Sequence, residues 1–122
     1  MTKRMIAALI SVAGATPLSA LAGGDAAHGR QIYESRCIAC HSPDANRVGP
    51  MHRGVFGRKA GSVASYNYSN AVKASDVVWN DETLDQWLTN PQAFIPGQKM
   101  NFKVANPQDR ADIIAYLKTL TN

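Results

Sequence analysis

Cys37 and Cys40 are the only two cysteines in the 122-residue chain, and His41 follows directly, giving Cys37-Ile38-Ala39-Cys40-His41. Three chemistries use thiols at this spacing. A dithiol–disulfide couple places Cys-x-x-Cys at the start of a helix that follows a strand, within alternating strands and helices. The flanking segments do not alternate in that way. Tetrahedral zinc needs four ligands, and beyond these three residues only His28 and His52 remain as nitrogen ligands, unlike the usual paired spacings. Covalent haem attachment uses all three residues. On a helical turn Cys37 and Cys40 share a face and reach the two vinyl groups of one haem edge, and His41 then lies beneath the iron and can bind it. The motif is read as a haem site.

The opposite face of the iron has four candidate ligands, Met51, Met100, His28 and His52. Met100 lies in Phe94-Ile95-Pro96-Gly97-Gln98-Lys99-Met100-Asn101-Phe102, where Pro96 and Gly97 favour a loop. Phe94, Ile95 and Phe102 are expected to form an apolar pocket around its thioether. By residue type alone, a core-filling methionine is the commoner use of such a side chain.

The elements that must position these residues read as helices. Ile113, Tyr116, Leu117 and Leu120 recur at helical spacing, with Asn106 as cap and Pro107 at the first position, which predicts a helix over 107–120. Asp25 caps a first helix running to about Arg36, with Gly29, Ile32 and Tyr33 on one face. Short helices are expected over 69–75 and 81–89, the second closed by Asn90-Pro91. The Gly- and Pro-rich stretch 42–65 reads as loop. So much loop in so small a chain needs something to pack on, and a haem would complete the core.

Length and a 45% hydrophobic content fit one small domain. Residues 1–22 carry Lys3 and Arg4, an apolar run from Met5 to Ala15, and Ala20-Leu21-Ala22, the pattern of a cleaved secretory signal. The apolar run is about half of what a membrane-spanning helix needs. Cleavage between Ala22 and Gly23 leaves a domain over 23–122, lowers the formal charge from +4 to +2, and predicts a periplasmic protein without a membrane anchor. The chain has no basic run interleaved with aromatics, so nucleic-acid binding is set aside.

From Gly29 to Leu120 the chain resembles the class I c-type cytochromes of soluble bacterial and mitochondrial type. The resemblance rests on Cys37–His41, Gly49-Pro50, Gly54-Val55-Phe56-Gly57-Arg58-Lys59, Tyr66-Asn67-Tyr68-Ser69, Trp79, Asn90-Pro91, Ile95–Met100 and Ile114–Lys118. It implies an all-α fold around one haem c, bound covalently through Cys37 and Cys40. His41 and Met100 are the implied iron ligands, with the Pro50 carbonyl accepting from the His41 ring. Arg58, Tyr68 and Trp79 match residues that satisfy the buried haem propionate. The implied function is single-electron carriage, without enzymatic turnover, between redox partners such as a membrane oxidoreductase, an oxidase or a reaction centre. These would dock on a monomer at the haem edge near Lys99 and Lys103, with Lys73 and Arg36 completing a basic rim. The first and last helices are implied to cross at Gly29.

Three positions depart from the family pattern. His52 replaces a leucine and is expected as a partly exposed ring at the haem edge, Val72 takes a position that is often asparagine, and Trp87 stands where many relatives have tyrosine. His28 is expected at the surface. Arg110 is expected in the first turns of the last helix, away from the Met100 loop. The alternative function is a haem enzyme or a gas- or peroxide-responsive protein with a labile Met100. No distal acid or base is evident for peroxidase chemistry, because Trp87, Phe94 and Phe102 are apolar or nearly so.

Overall fold

The computed structural model describes Ser11, Ala13, Gly14 and residues 23–122, so the expected signal segment lies almost wholly outside the described residues. Helix α1 spans Ala26–Ile32, and the Asp25 carboxylate caps it by accepting from the Ala27 and His28 amides. The chain continues as a π-helical turn over Tyr33–Cys37, where a simple α-helix to Arg36 was expected. The wider turn, closed by Ile38 N–H to the Tyr33 carbonyl at 3.2 Å, re-aims the chain as it enters the cysteine motif.

Helix α2 is Asn70–Lys73, with Ser69 Oγ accepting from the Val72 amide. Helix α3 is Asp81–Thr89, opened by a reciprocal bond pair between Asn80 and Thr83. Asn90 ends α3 as expected, and its side chain also caps a further helix, α4, Pro91–Phe94. Asn90-Pro91, expected to close α3, also opens this helix, because proline is equally suited to the first turn of a new helix. Helix α5, Pro107–Thr119, starts at Asn106 and Pro107 as expected. Among the described residues there is no strand. A single antiparallel bridge, Lys59 to Val78, joins the loop to the segment before α3.

The fold is therefore all-α, with α1 packed on α5. Ile32, Tyr33, Ile113, Leu117 and Leu120 are buried there. Gly29 sets the separation of the two helices, because a Cβ on it would stand 1.8 Å from the Asp112 carbonyl oxygen. Asp112 is 3% exposed and fully engaged. It accepts from the Asp25 amide at 2.7 Å and from Gln108 Nε2 at 2.9 Å, and it lies 2.6 Å from His28 Nδ1. The exposed His28, expected as a plain surface residue, thus ties α1 to α5.

Burial acts to raise the Asp112 carboxyl, but the bonds from His28, Asp25 and Gln108 outweigh it and hold the group below the usual carboxylate range. His28 is raised, first by its bond to Asp112, with burial opposing. The Asp112 contribution to stability is lost as pH falls through its depressed value. The His28 contribution is complete below the unfolded histidine value, about 6.5, and is lost as pH rises through the raised folded value.

Two outcomes are expected. Gly29→Ala destabilises by about 1–3 kcal/mol or more, because backbone rather than a movable side chain blocks the added methyl, whereas Gly23→Ala, with open space around it, leaves the urea midpoint unchanged. His28→Ala lowers the melting temperature most below about pH 6, and its difference from the parent closes in alkaline buffer.

Candidate functional site

The Cys37 carbonyl accepts from both the Cys40 amide at 3.1 Å and the His41 amide at 2.9 Å, so residues 37–41 form one helical turn. Both cysteines are free, Cys37 half-buried and Cys40 exposed. Burial pushes the Cys37 thiol up to about 11. A dithiol oxidoreductase needs the opposite, a thiol depressed toward neutrality, so the redox-motif reading loses its chemistry here.

The His41 ring is fixed by its surroundings. Nδ1–H donates to the Pro50 carbonyl at 2.9 Å, the bond that the resemblance implies. Burial lowers the His41 pKa, with the Pro50 bond opposing, and the neutral ring protonated at Nδ1 keeps its lone pair on Nε2. Gly49 makes room for this arrangement, because a Cβ there would lie 2.1 Å from His41 Cε1. The loop closes through Gly49 N–H to the Cys40 carbonyl at 2.8 Å.

His52 is half-buried, with its ring stacked on that of His41, centroids 4.0 Å apart and planes 20° from parallel. Its Nδ1 shares a 2.9 Å hydrogen bond with Tyr33 Oη. Burial first, then His41 and Arg58, hold the His52 ring well below the ordinary histidine range. Two parallel stacked imidazoles direct their in-plane lone pairs alongside each other rather than toward one tetrahedral centre. His28 is bonded to Asp112. The four-ligand zinc reading therefore lacks a fourth ligand.

Arg58 is half-buried, and its guanidinium donates to the Met51 carbonyl at 2.9 Å and the Arg53 carbonyl at 3.1 Å. It has no carboxylate partner among the described residues, and burial lowers its pKa. A desolvated cation of this kind suits an anionic group supplied from outside the chain. Trp79 is buried and joined to Arg58 through its backbone, N–H to the Arg58 carbonyl at 2.9 Å. Tyr68 is buried, with Oη accepting from the Val63 amide at 3.1 Å.

Met100 is partly buried and packed against the hydrophobic core. Its amide donates to the side chain of Gln98, itself 7% exposed. Phe102, expected in the apolar pocket, is 37% exposed. Ile95 is buried in the core, and Phe94 and Trp87 pack against that core, the last edge-on to Trp79 at 5.3 Å. Val72 is buried in the same core. Lys73, Lys99 and Tyr68 line one depression of about 550 Å³, while Lys103 is exposed. Arg36 is drawn toward α5 by an ion pair with Asp109 at 3.6 Å, so the rim it was expected to complete rests on lysines.

Arg110 corrects the expectation that it is remote from the Met100 loop. Its side chain is 11% exposed, donates to Asp85 at 2.7 Å, and reaches the Val104 and Ala105 carbonyls at 2.8 and 3.1 Å. It clamps the segment following Met100 to α5 and α3. Residue type and spacing carry little signal for this role, because two of the acceptors are backbone carbonyls and the third, Asp85, lies 25 residues away in sequence.

The family model for cytochrome c matches residues 26–121. The chain is 46% identical to cytochrome c2 of Rhodomicrobium vannielii over 116 residues, which cover 92% of each chain. It is 48% identical to cytochrome c of Euglena viridis over 100 residues, 80% of this chain and 98% of that one. Among solved structures, cytochrome cH from Methylobacterium extorquens superposes with a TM-score of 0.75 at 45% identity, covering 79% of this chain and 99% of that one.

Gly49→Ala should force the His41 ring off its acceptor. The expected result is a loss of about 1–3 kcal/mol in unfolding free energy together with a displaced His41 ring resonance in the NMR spectrum. An unmoved resonance would mean that the loop, not the ring, yields.

Proposed function

The chain belongs to the cytochrome c family, whose members are electron carriers, and from that premise we propose which of its residues build the carrier and where it works. Cys37 and Cys40 form the two thioether links of one haem c, and His41 Nε2 and Met100 Sδ bind the iron. When bound, the haem supplies a one-electron ferric/ferrous couple. The observation that carries this assignment is the His41 bond to Pro50, which leaves Nε2 as the nitrogen with a free lone pair on the turn that also presents both thiols.

The chain's own residues then do three things. Pro50 holds the His41 ring and raises its basicity as a donor. Arg58, with Tyr68 and Trp79 beside it, offsets the charge of a propionate that would otherwise be costly to bury. Met100, a neutral and polarisable ligand on a loop packed against the core, favours the reduced state relative to a second imidazole. As in other members of the family, the protein acts by docking and passing an electron rather than by chemistry on a bound molecule.

Docking occurs at the rim near Lys99 and Lys103, with Lys73 sharing the depression beside Lys99. Positive charge there steers an acidic redox protein by a screened, long-range attraction. Residues 1–22 direct export and are removed at Ala22–Gly23, leaving a periplasmic carrier. No helix among the described residues is long and apolar enough to cross a membrane.

Met100→His is expected to lower the midpoint potential substantially and to abolish the weak sulfur-to-iron band in the red of the oxidised spectrum, while Met51→Leu changes neither. Collapse of both signals in Met51→Leu would exchange the two roles. For docking, Lys99→Glu should slow second-order electron transfer to an acidic partner several-fold and flatten its ionic-strength dependence, with an unchanged potential. Arg30→Glu is the matched control, since Arg30 is exposed on α1 and, among the described residues, paired with Glu34. Equal slowing by both would mean that overall charge, not the rim, governs association.

A further inference from the structure

A single hydrogen bond at Nδ1 fixes one corner of an imidazole and leaves the ring free to swing about the line to its acceptor. The His41 ring has a second constraint. His52 lies against its face at 4.0 Å, 20° from parallel. His52 is itself held at three points. Its amide donates to the Ser42 carbonyl at 3.2 Å, its own carbonyl accepts from Val55 at 2.9 Å, and its Nδ1 meets Tyr33 Oη at 2.9 Å. Tyr33 cannot give way easily, being 1% exposed and packed against Tyr116 of α5 with centroids 5.2 Å apart.

We propose that His52, braced by Tyr33, is a positioning residue that sets the rotational orientation of the His41 ring. The proposal rests on His41 being the iron ligand. A branched aliphatic side chain at position 52 would fill similar space but offers no flat face and no atom for the Tyr33 hydroxyl, so it would leave ring rotation to the Pro50 bond alone. The His52–Tyr33 pair also links ring orientation to the α1–α5 crossing, through Tyr33 on one side and Tyr116 on the other.

The plane of the axial imidazole and the orientation of the thioether opposite it together set the in-plane magnetic axes of low-spin ferric iron, so with the Met100 side unchanged the haem-methyl proton shifts of the oxidised holoprotein follow the ring angle. Three variants separate the contributions. His52→Leu should redistribute the four methyl shifts, His52→Phe should restore most of the parent pattern by replacing the flat face, and Tyr33→Phe should give a smaller displacement in the direction of His52→Leu. The red sulfur band should persist in all three. If His52→Leu and Tyr33→Phe both gave methyl shifts superimposable on the parent, the pair would be packing only and the proposal would fail, whatever happened to the melting temperature. A redistribution that His52→Phe does not reverse would also overturn it, by removing the stacked face as the cause. Failure of the underlying ligand assignment looks different, since His41→Ala would then retain the low-spin spectrum.

Discussion

The bond from His41 Nδ1–H to the Pro50 carbonyl is the constraint on which the rest of the site depends. It decides which ring nitrogen has a lone pair, and so whether the turn carrying two thiols also carries a metal ligand. It forms only because position 49 lacks a Cβ and because the loop between is pulled closed. Arg47 donates to the Ile38 carbonyl at 2.7 Å, and Asn46 accepts from the Met51 amide at 3.0 Å. The next carbonyl in line, that of Met51, accepts from Arg58. Proximal ring and candidate propionate cation are thus wired to one short stretch of backbone, so that displacing either disturbs the other.

The helices serve this wiring more than they stand on their own. Four of the five α-helices among the described residues are nine residues or shorter, below the length at which an isolated helix persists in water. Side chains cap the start of every one of them. Capping satisfies amides that a short helix would otherwise leave in excess, and it suits a fold that spends most of its chain in loops around a site rather than in long packed rods.

What could be read from the sequence divides along physical lines. The cysteine turn, the Asn106-Pro107 start of α5 and the all-helical class were legible because each depends on local backbone geometry or on spacing along a helix, whereas the crossing at Gly29, whose partner Asp112 is far off in sequence, was implied only by the family resemblance. The Asp112 network, the Arg110 clamp and the His52 stack were not. Each depends on partners far apart in sequence or on backbone carbonyls, which every residue possesses and which therefore leave no mark in composition. His52 shows the difference most clearly. Its departure from the family pattern was visible, and its ring was expected at a haem edge, yet only the placement of Tyr33 nineteen residues earlier shows that the ring has a partner and a fixed face. Helix α4 was missed for a local reason, since Asn90-Pro91 both ends one helix and starts another.

The two sides of the site are held by different means. On the cysteine side the ring is caught between a carbonyl and a stacked imidazole, a stiff arrangement with little room to adjust. On the Met100 side, the loop is fixed at its ends. Ile95 and Val104 are buried, Val104 N–H donates to the Leu88 carbonyl at 2.8 Å, and Arg110 holds the two carbonyls that follow. Between those anchors Gln98 turns inward to accept from Met100 itself. A carrier gains from this division. An electron that arrives or leaves changes the charge at the centre, and ligands that must move in response would add to the barrier. The His41 ring braced face-on and the Met100 thioether on a loop pinned at both ends, as the proposed ligands, would each meet that change with little displacement. The fold invests its buried polar bonds where displacement would be most costly.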